Sequence, residues 1–90
     1  MRKLQFAIQL LSAGIYLAKS QKIYVHLQDE GVDVWRPVTA TSIGKDVYQI
    51  DKDQSIPEDE NWEYKPGDKV RCQSHTFEGG EHGLIALEKA

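Results

Sequence analysis

The sequence predicts a mainly β fold, a small five-stranded antiparallel barrel preceded by an N-terminal amphipathic α-helix. Three observations predict it. Apolar and polar residues alternate in short runs after residue 21, Gly and Asp turn signals separate these runs, and residues 4–18 are instead nearly all apolar. The chain therefore divides into a helical segment, 1–20, and one barrel domain, 21–90.

The apolar segment 4–18 fits a helix, because Gln5, Gln9 and Ser12 follow one stripe of its surface. Three interpretations of this helix stay open. It packs on the barrel or forms a homodimer through residues 4–18; it is a signal peptide, with cleavage near 18–20; or it attaches to a membrane surface. Fifteen helical residues reach about 22 Å, too short for a bilayer core of about 30 Å, so a spanning helix is disfavoured.

Five strands are expected in the barrel, at 22–28, 32–43, 46–51, 69–77 and 83–89. In the first, Ile23, Val25 and Leu27 share one face, while Tyr24 and His26 share the other. Turn residues separate the runs at 29–31, 44–46, 66–68 and 79–80. Pro37 has no backbone N–H and is expected at an edge or a bulge. Five short antiparallel strands with such turns indicate an SH3-like, partly open barrel.

Charge is distributed unevenly along the chain. The net charge is −3, but the first 22 residues hold four bases and no acids, whereas the remaining 68 hold seven bases and fourteen acids, a net of −7. An acidic body disfavours sequence-independent nucleic-acid binding, which relies on Lys and Arg contacts to phosphates. It favours either no charged partner or a basic one.

The long connector 51–68 is the main candidate for a functional site, because loops of this length in small domains are usually functional or mobile. Six acids lie within thirteen of its residues, which indicates either a solvated loop or a surface that binds a basic partner. An EF-hand is excluded by the absence of its Gly and bidentate Glu. Trp, Tyr and Arg are enriched in binding hot spots and also fill the ends of small barrels. The predicted binding residues are Trp35, Arg36, Asp53, Glu58, Asp59, Glu60, Trp62 and Tyr64.

Catalysis, cofactors and metals are not predicted. No Ser–His–Asp order, phosphate-binding glycine loop or paired carboxylates stand out. Cys72 and His75 have a C-x-x-H spacing, but they point to opposite faces of one strand and do not converge on a metal. Cys72 is the single cysteine, so it is expected to be a buried thiol in a reducing compartment, consistent with the cytoplasm.

Two stretches, 22–38 and 62–72, resemble a set of small uncharacterised bacterial proteins. They read KIYVHLQDEGVDVWRPV and WEYKPGDKVRC. The resemblance implies a single small β domain and a bacterial source, and it brings no catalytic residue to this chain.

The functional hypothesis is a non-enzymatic protein-binding module, of an accessory, inhibitor or immunity type, that uses the acidic loop. One alternative is a secreted or membrane-peripheral protein that the first twenty residues target. Another is a small nucleic-acid-binding barrel that uses Tyr24, Tyr48, Lys69 and Arg71.

Overall fold

The computed structural model describes residues 20–90, and this part of the chain contains five strands. They are β1 Ser20–His26, β2 Trp35–Gly44, β3 Val47–Ile50, β4 Lys69–Thr76 and β5 His82–Lys89. Every predicted strand is therefore present, with ends that differ by no more than three residues. The predicted helix, homodimer contact and signal sequence fall in 1–19, outside the described residues.

The strands follow one another around a closed barrel in the order β1-β2-β3-β4-β5. Each consecutive pair is antiparallel. Because the number of strands is odd, β1 and β5 run in the same direction, and they meet in a parallel bridge between Tyr24 and Ile85. The barrel is closed, which corrects the prediction of a partly open one; the sequence alone does not show this long-range pairing.

The connection between β1 and β2 is longer than predicted, so β2 begins at Trp35 and not at position 32. Asp29 and Gly31 both have positive φ values, 65° and 80°. This turn geometry takes the chain out of the ladder, and the N–H of Leu27 then donates to the Val34 carbonyl at 2.9 Å. Pro37 pairs with Tyr24 on the β1 side, while the ladder to β3 starts only at Ala40. Pro37 thus occupies an edge stretch of β2, as predicted.

All five strands contribute apolar side chains to the barrel interior. The short β3 contributes one fully buried residue, Ile50, at its end. Ile23, Val25, Ile50 and Val70 are fully buried, and no polar or charged side chain among residues 20–90 is buried with them. These residues confirm the predicted alternation in β1 and β4. Because side chains fill the interior, chemistry at polar groups is left to the outer surface.

Within residues 20–90, no helix is long and apolar enough to cross a membrane.

Candidate functional site

The loop between β3 and β4, residues 51–68, is fastened to the barrel at its C-terminal part. Leu27 and Trp62 form an antiparallel bridge. On either side of it, the N–H of Gln28 donates to the Asn61 carbonyl at 2.8 Å and the N–H of Glu63 donates to the His26 carbonyl at 3.0 Å. Residues 61–63 thus continue the sheet beyond the end of β1.

Gln54 fastens the N-terminal part of the same loop. Its side-chain amide donates to the Thr39 carbonyl at 2.7 Å and accepts from the Thr39 N–H at 3.1 Å. These are the two hydrogen bonds that a residue of a neighbouring strand would supply. The loop is therefore ordered at both ends.

A polar cluster joins the middle of the loop to β2. It consists of Glu60 and Trp62 from the loop and Arg36 from β2. The Arg36 guanidinium donates two hydrogen bonds to the Glu60 carboxylate, through Nε at 2.9 Å and through Nη2. The Trp62 indole Nε1–H donates to Glu60 Oε1 at 2.9 Å. Hydrogen bonds from Arg36 and Trp62 together hold the pKa of Glu60 below its usual range. Glu60 is consequently a structural carboxylate that positions the Trp62 ring.

Asp51 is the second carboxylate of the loop with a structural role. Ser20 Oγ donates to its Oδ2 at 2.7 Å, and Thr41 Oγ1 donates to its Oδ1 at 2.9 Å. Partial burial raises the pKa of Asp51, but the hydrogen bonds from Ser20, Thr41 and Thr39 outweigh burial and leave the pKa lowered.

Of the other acids of the loop, Asp68 is half-buried beside Lys89, and four are exposed to solvent. Asp53, Glu58, Asp59 and Glu63 all lie on the surface. Within residues 20–90 none of the four belongs to an ion pair; the ion pairs join His26 with Asp33, Arg36 with Glu60, Arg71 with Glu88 and Lys89 with Asp68. The loop therefore presents four exposed carboxylates that lie outside the ion pairs of the described residues.

The eight predicted binding residues thus separate into four groups. Trp62 and Tyr64 belong to the core, and the Tyr64 hydroxyl donates to the Leu87 carbonyl at 2.9 Å. Arg36 and Glu60 are paired with each other, and Asp53, Glu58 and Asp59 are exposed on the loop. Trp35 lies apart from this loop cluster, in a group of rings on the outer face of the barrel.

This group of rings, the aromatic patch, was not predicted. Its ring centroids lie 4.7 to 6.2 Å apart in tilted or edge-on pairs, and every member is half-buried. The members come from β1, from β2, and from the end of β4 and the residue after it. They are Tyr24, His26, Trp35, His75 and Phe77.

Gly83 on β5 makes room for the aromatic patch. It pairs with His75 of β4, and it lies beneath Tyr24 and Phe77. A Cβ at Gly83 would stand 2.6 Å from Tyr24 Cε1 and 3.0 Å from Phe77 Cε2. The rings of β1 and β4 therefore meet across β5 because residue 83 has no side chain. Alternation indicated that Tyr24, His26 and His75 face outward, but it carried no information on which strands adjoin at the closure of the barrel.

The residues proposed for nucleic-acid binding are separated. Tyr24 belongs to the aromatic patch, whereas Tyr48 on β3 pairs with Val70 of β4. Arg71 Nε lies 3.3 Å from Glu88 Oε2, so its charge is partly compensated. The strands do not bring these side chains into one basic, aromatic platform.

Cys72 is buried in the core and lies outside any candidate metal site. Within the described range, no three or more His, Cys, Asp or Glu side chains are arranged to hold a metal ion. Burial, followed by the nearby charge of Asp46, raises the pKa of the Cys72 thiol to about 11. The thiol is thus a structural group of low nucleophilicity.

We expect Cys72 to resist a thiol-specific disulfide reagent in the native protein. At mildly alkaline pH the native thiol has about a hundred-fold less thiolate than the unfolded one, because burial raises its pKa to about 11. The reaction followed by absorbance should therefore be slower by at least this factor in buffer than in concentrated guanidinium chloride. Equal rates in the two solvents would show that Cys72 is accessible in the folded chain.

Neither a known protein family, nor a curated protein, nor a solved structure matches this chain significantly. The resemblance to small bacterial β proteins thus stays a prediction. The fold and the geometry of the surface define the class of the chain: a closed five-stranded β-barrel with a filled interior and an ordered acidic loop.

Proposed function

We propose that this chain is a non-enzymatic protein-binding module, which recognises a basic protein partner through the loop 51–68. One observation carries the proposal. The loop is fastened at both ends, yet four of its carboxylates, Asp53, Glu58, Asp59 and Glu63, have no ion-pair partner among residues 20–90.

An ordered acidic loop suits recognition of a basic surface for two reasons. Its backbone loses little conformational entropy on binding, because hydrogen bonds already hold it in place. Its charge also accelerates encounter with a basic partner, since residues 20–90 carry eight Lys and Arg against fourteen Asp and Glu, a net of −6. An accessory, inhibitor or immunity-type protein is the kind of molecule that this surface fits.

The strand order supports the finer assignment to an SH3-like barrel. The five strands follow a sequential meander, whereas an OB-fold of the same size has a Greek-key order. On this ground we propose that the barrel is SH3-like.

Charge reversal in the loop tests the proposed function. The double variant Glu58→Lys, Asp59→Lys is expected to lower recovery of the partner from a native lysate by about ten-fold or more, because each reversal replaces an attraction by a repulsion. Glu60 is left unchanged, since it holds Arg36 and Trp62 in place. Recovery is measured by quantitative mass spectrometry of the captured proteins.

A second double variant is the matched control. Glu30→Lys, Glu88→Lys changes the net charge equally at exposed positions outside the loop, and the ion pair with Arg71 that it breaks is itself exposed, so its loss should cost little stability. If the control loses the partner as completely as the loop variant does, net charge decides binding and the loop is not the contact surface. Unchanged recovery with the loop variant would also contradict the proposal.

A further inference from the structure

The aromatic patch lies beside the acidic loop on the outside of the barrel. His26 belongs to the patch, and its carbonyl accepts the hydrogen bond from the N–H of Glu63. Trp35 belongs to the patch and precedes Arg36, which holds Glu60 in the loop. The two features therefore adjoin where Glu63 of the loop meets His26 of the patch.

Exposed carboxylates border the patch. Asp33 stands two residues before Trp35, and its Oδ1 lies 3.1 Å from His26 Nε2. Beyond Phe77, the turn to β5 carries the exposed residues Glu78 and Glu81. Glu81 also lines, with Tyr24 and Lys22, an open groove of about 560 Å³. The patch thus combines π-systems with surrounding negative charge.

One ring of the patch already has a cation beside it. The Lys22 ammonium lies 5.5 Å from the centroid of the Tyr24 ring, within the range of a cation–π contact. A flexible lysine on the same strand is an exchangeable occupant, because its side chain is free to move into solvent.

We propose that the aromatic patch receives arginine side chains of the basic protein partner, a proposal that rests on the function proposed above. The guanidinium group is planar and weakly hydrated, so it stacks on Trp and Tyr while it donates hydrogen bonds to carboxylates. The patch offers both kinds of contact, with Trp35 and Tyr24 as the rings and Asp33 and Glu81 as the acceptors. Lys22 competes with the incoming arginine for Tyr24.

Titration of the isotope-labelled full-length chain with acetyl-triarginine amide tests this proposal by NMR. We expect shifts at the backbone amides of the patch and of Gly83, and no comparable shifts with acetyl-tricitrulline amide, which has the same shape without the charge. The variant Lys22→Gln should bind triarginine about three-fold more tightly, because a competing cation is removed. Lys45→Gln makes the same charge change at the β2–β3 turn and should bind like the wild type.

Trp35→Leu should weaken the binding of triarginine about three-fold or more, and its amide spectrum reports whether the barrel is still folded. Shifts confined to residues 53–63 would overturn the patch as an arginine site and leave the loop function standing. The absence of shifts, equal shifts with tricitrulline, or stronger patch shifts with oligothymidylate would also overturn it. The last result would assign the rings to base stacking.

Discussion

Replacing Trp62 by alanine is expected to lower the free energy of unfolding by about 3–5 kcal/mol, the loss typical of a buried aromatic side chain. Trp62 is only 3% exposed, and it contacts the core under the loop. A domain of this size has a total stability of about 5–10 kcal/mol, so the variant should lose a large share of it and unfold at a clearly lower urea concentration. Urea denaturation followed by circular dichroism measures the change.

The loss has two physical parts. Removal of the indole leaves a cavity between β1 and the loop, where Trp62 bridges Leu27. It also removes the Nε1–H donor from Glu60, which among residues 20–90 then keeps Arg36 as its side-chain hydrogen-bond partner. The loop should therefore loosen together with the core, and amide hydrogen exchange at residues 58–63 should become faster.

Trp35→Ala is the matched control, because it deletes the same side chain at a half-buried position of the outer face. A smaller loss of stability is expected there, because the Trp35 ring buries less apolar surface in the folded state than the Trp62 ring does. If Trp62→Ala costs less than about 1 kcal/mol, or no more than Trp35→Ala, the loop is not anchored through Trp62.

Alternation of apolar and polar residues was sufficient to predict the strands. Ile23 and Val25 alternate with Tyr24 and His26, and the structure buries the first pair while it leaves the second half-exposed. The reason is geometric, because successive side chains of a strand point to opposite faces whatever the rest of the fold does. The alternation does not fix the strand ends. The connection that includes the positive φ of Asp29 extends to position 34, so β2 begins three residues later than the alternation predicts.

The sequence pattern does not predict features that depend on contacts between segments far apart in the chain. The acidic composition of the loop was evident, but nothing local distinguished Glu60, which bonds Arg36 twenty-four positions away, from its exposed neighbours Glu58 and Asp59. Trp62 and Tyr64 were compatible with the core and with a binding surface. Their burial follows from where the loop returns to β1, a long-range pairing that a single sequence does not specify.

Gly83→Ala is expected to lower the free energy of unfolding by about 1–3 kcal/mol, the range found when a methyl group is forced into a packed site. The added Cβ would stand 2.6 Å from Tyr24 Cε1, well inside the contact distance of two carbon atoms. Glycine in a strand is otherwise unfavourable, and its replacement by alanine normally stabilises by about 0.4–1 kcal/mol. The sign of the change therefore reports whether the ring occupies this space. Urea denaturation measures it.

Gly44→Ala supplies the comparison, because the added Cβ there would meet only Val47 Cβ, at an ordinary 3.8 Å. This variant should be neutral or slightly stabilised. In a double-mutant cycle, Gly83→Ala should cost clearly less when Tyr24 is already alanine, since the principal clash is then absent. If Gly83→Ala instead behaves like Gly44→Ala and shows no coupling to Tyr24, the rings do not close over β5. The aromatic patch would then lose the support from which its binding of arginine is argued.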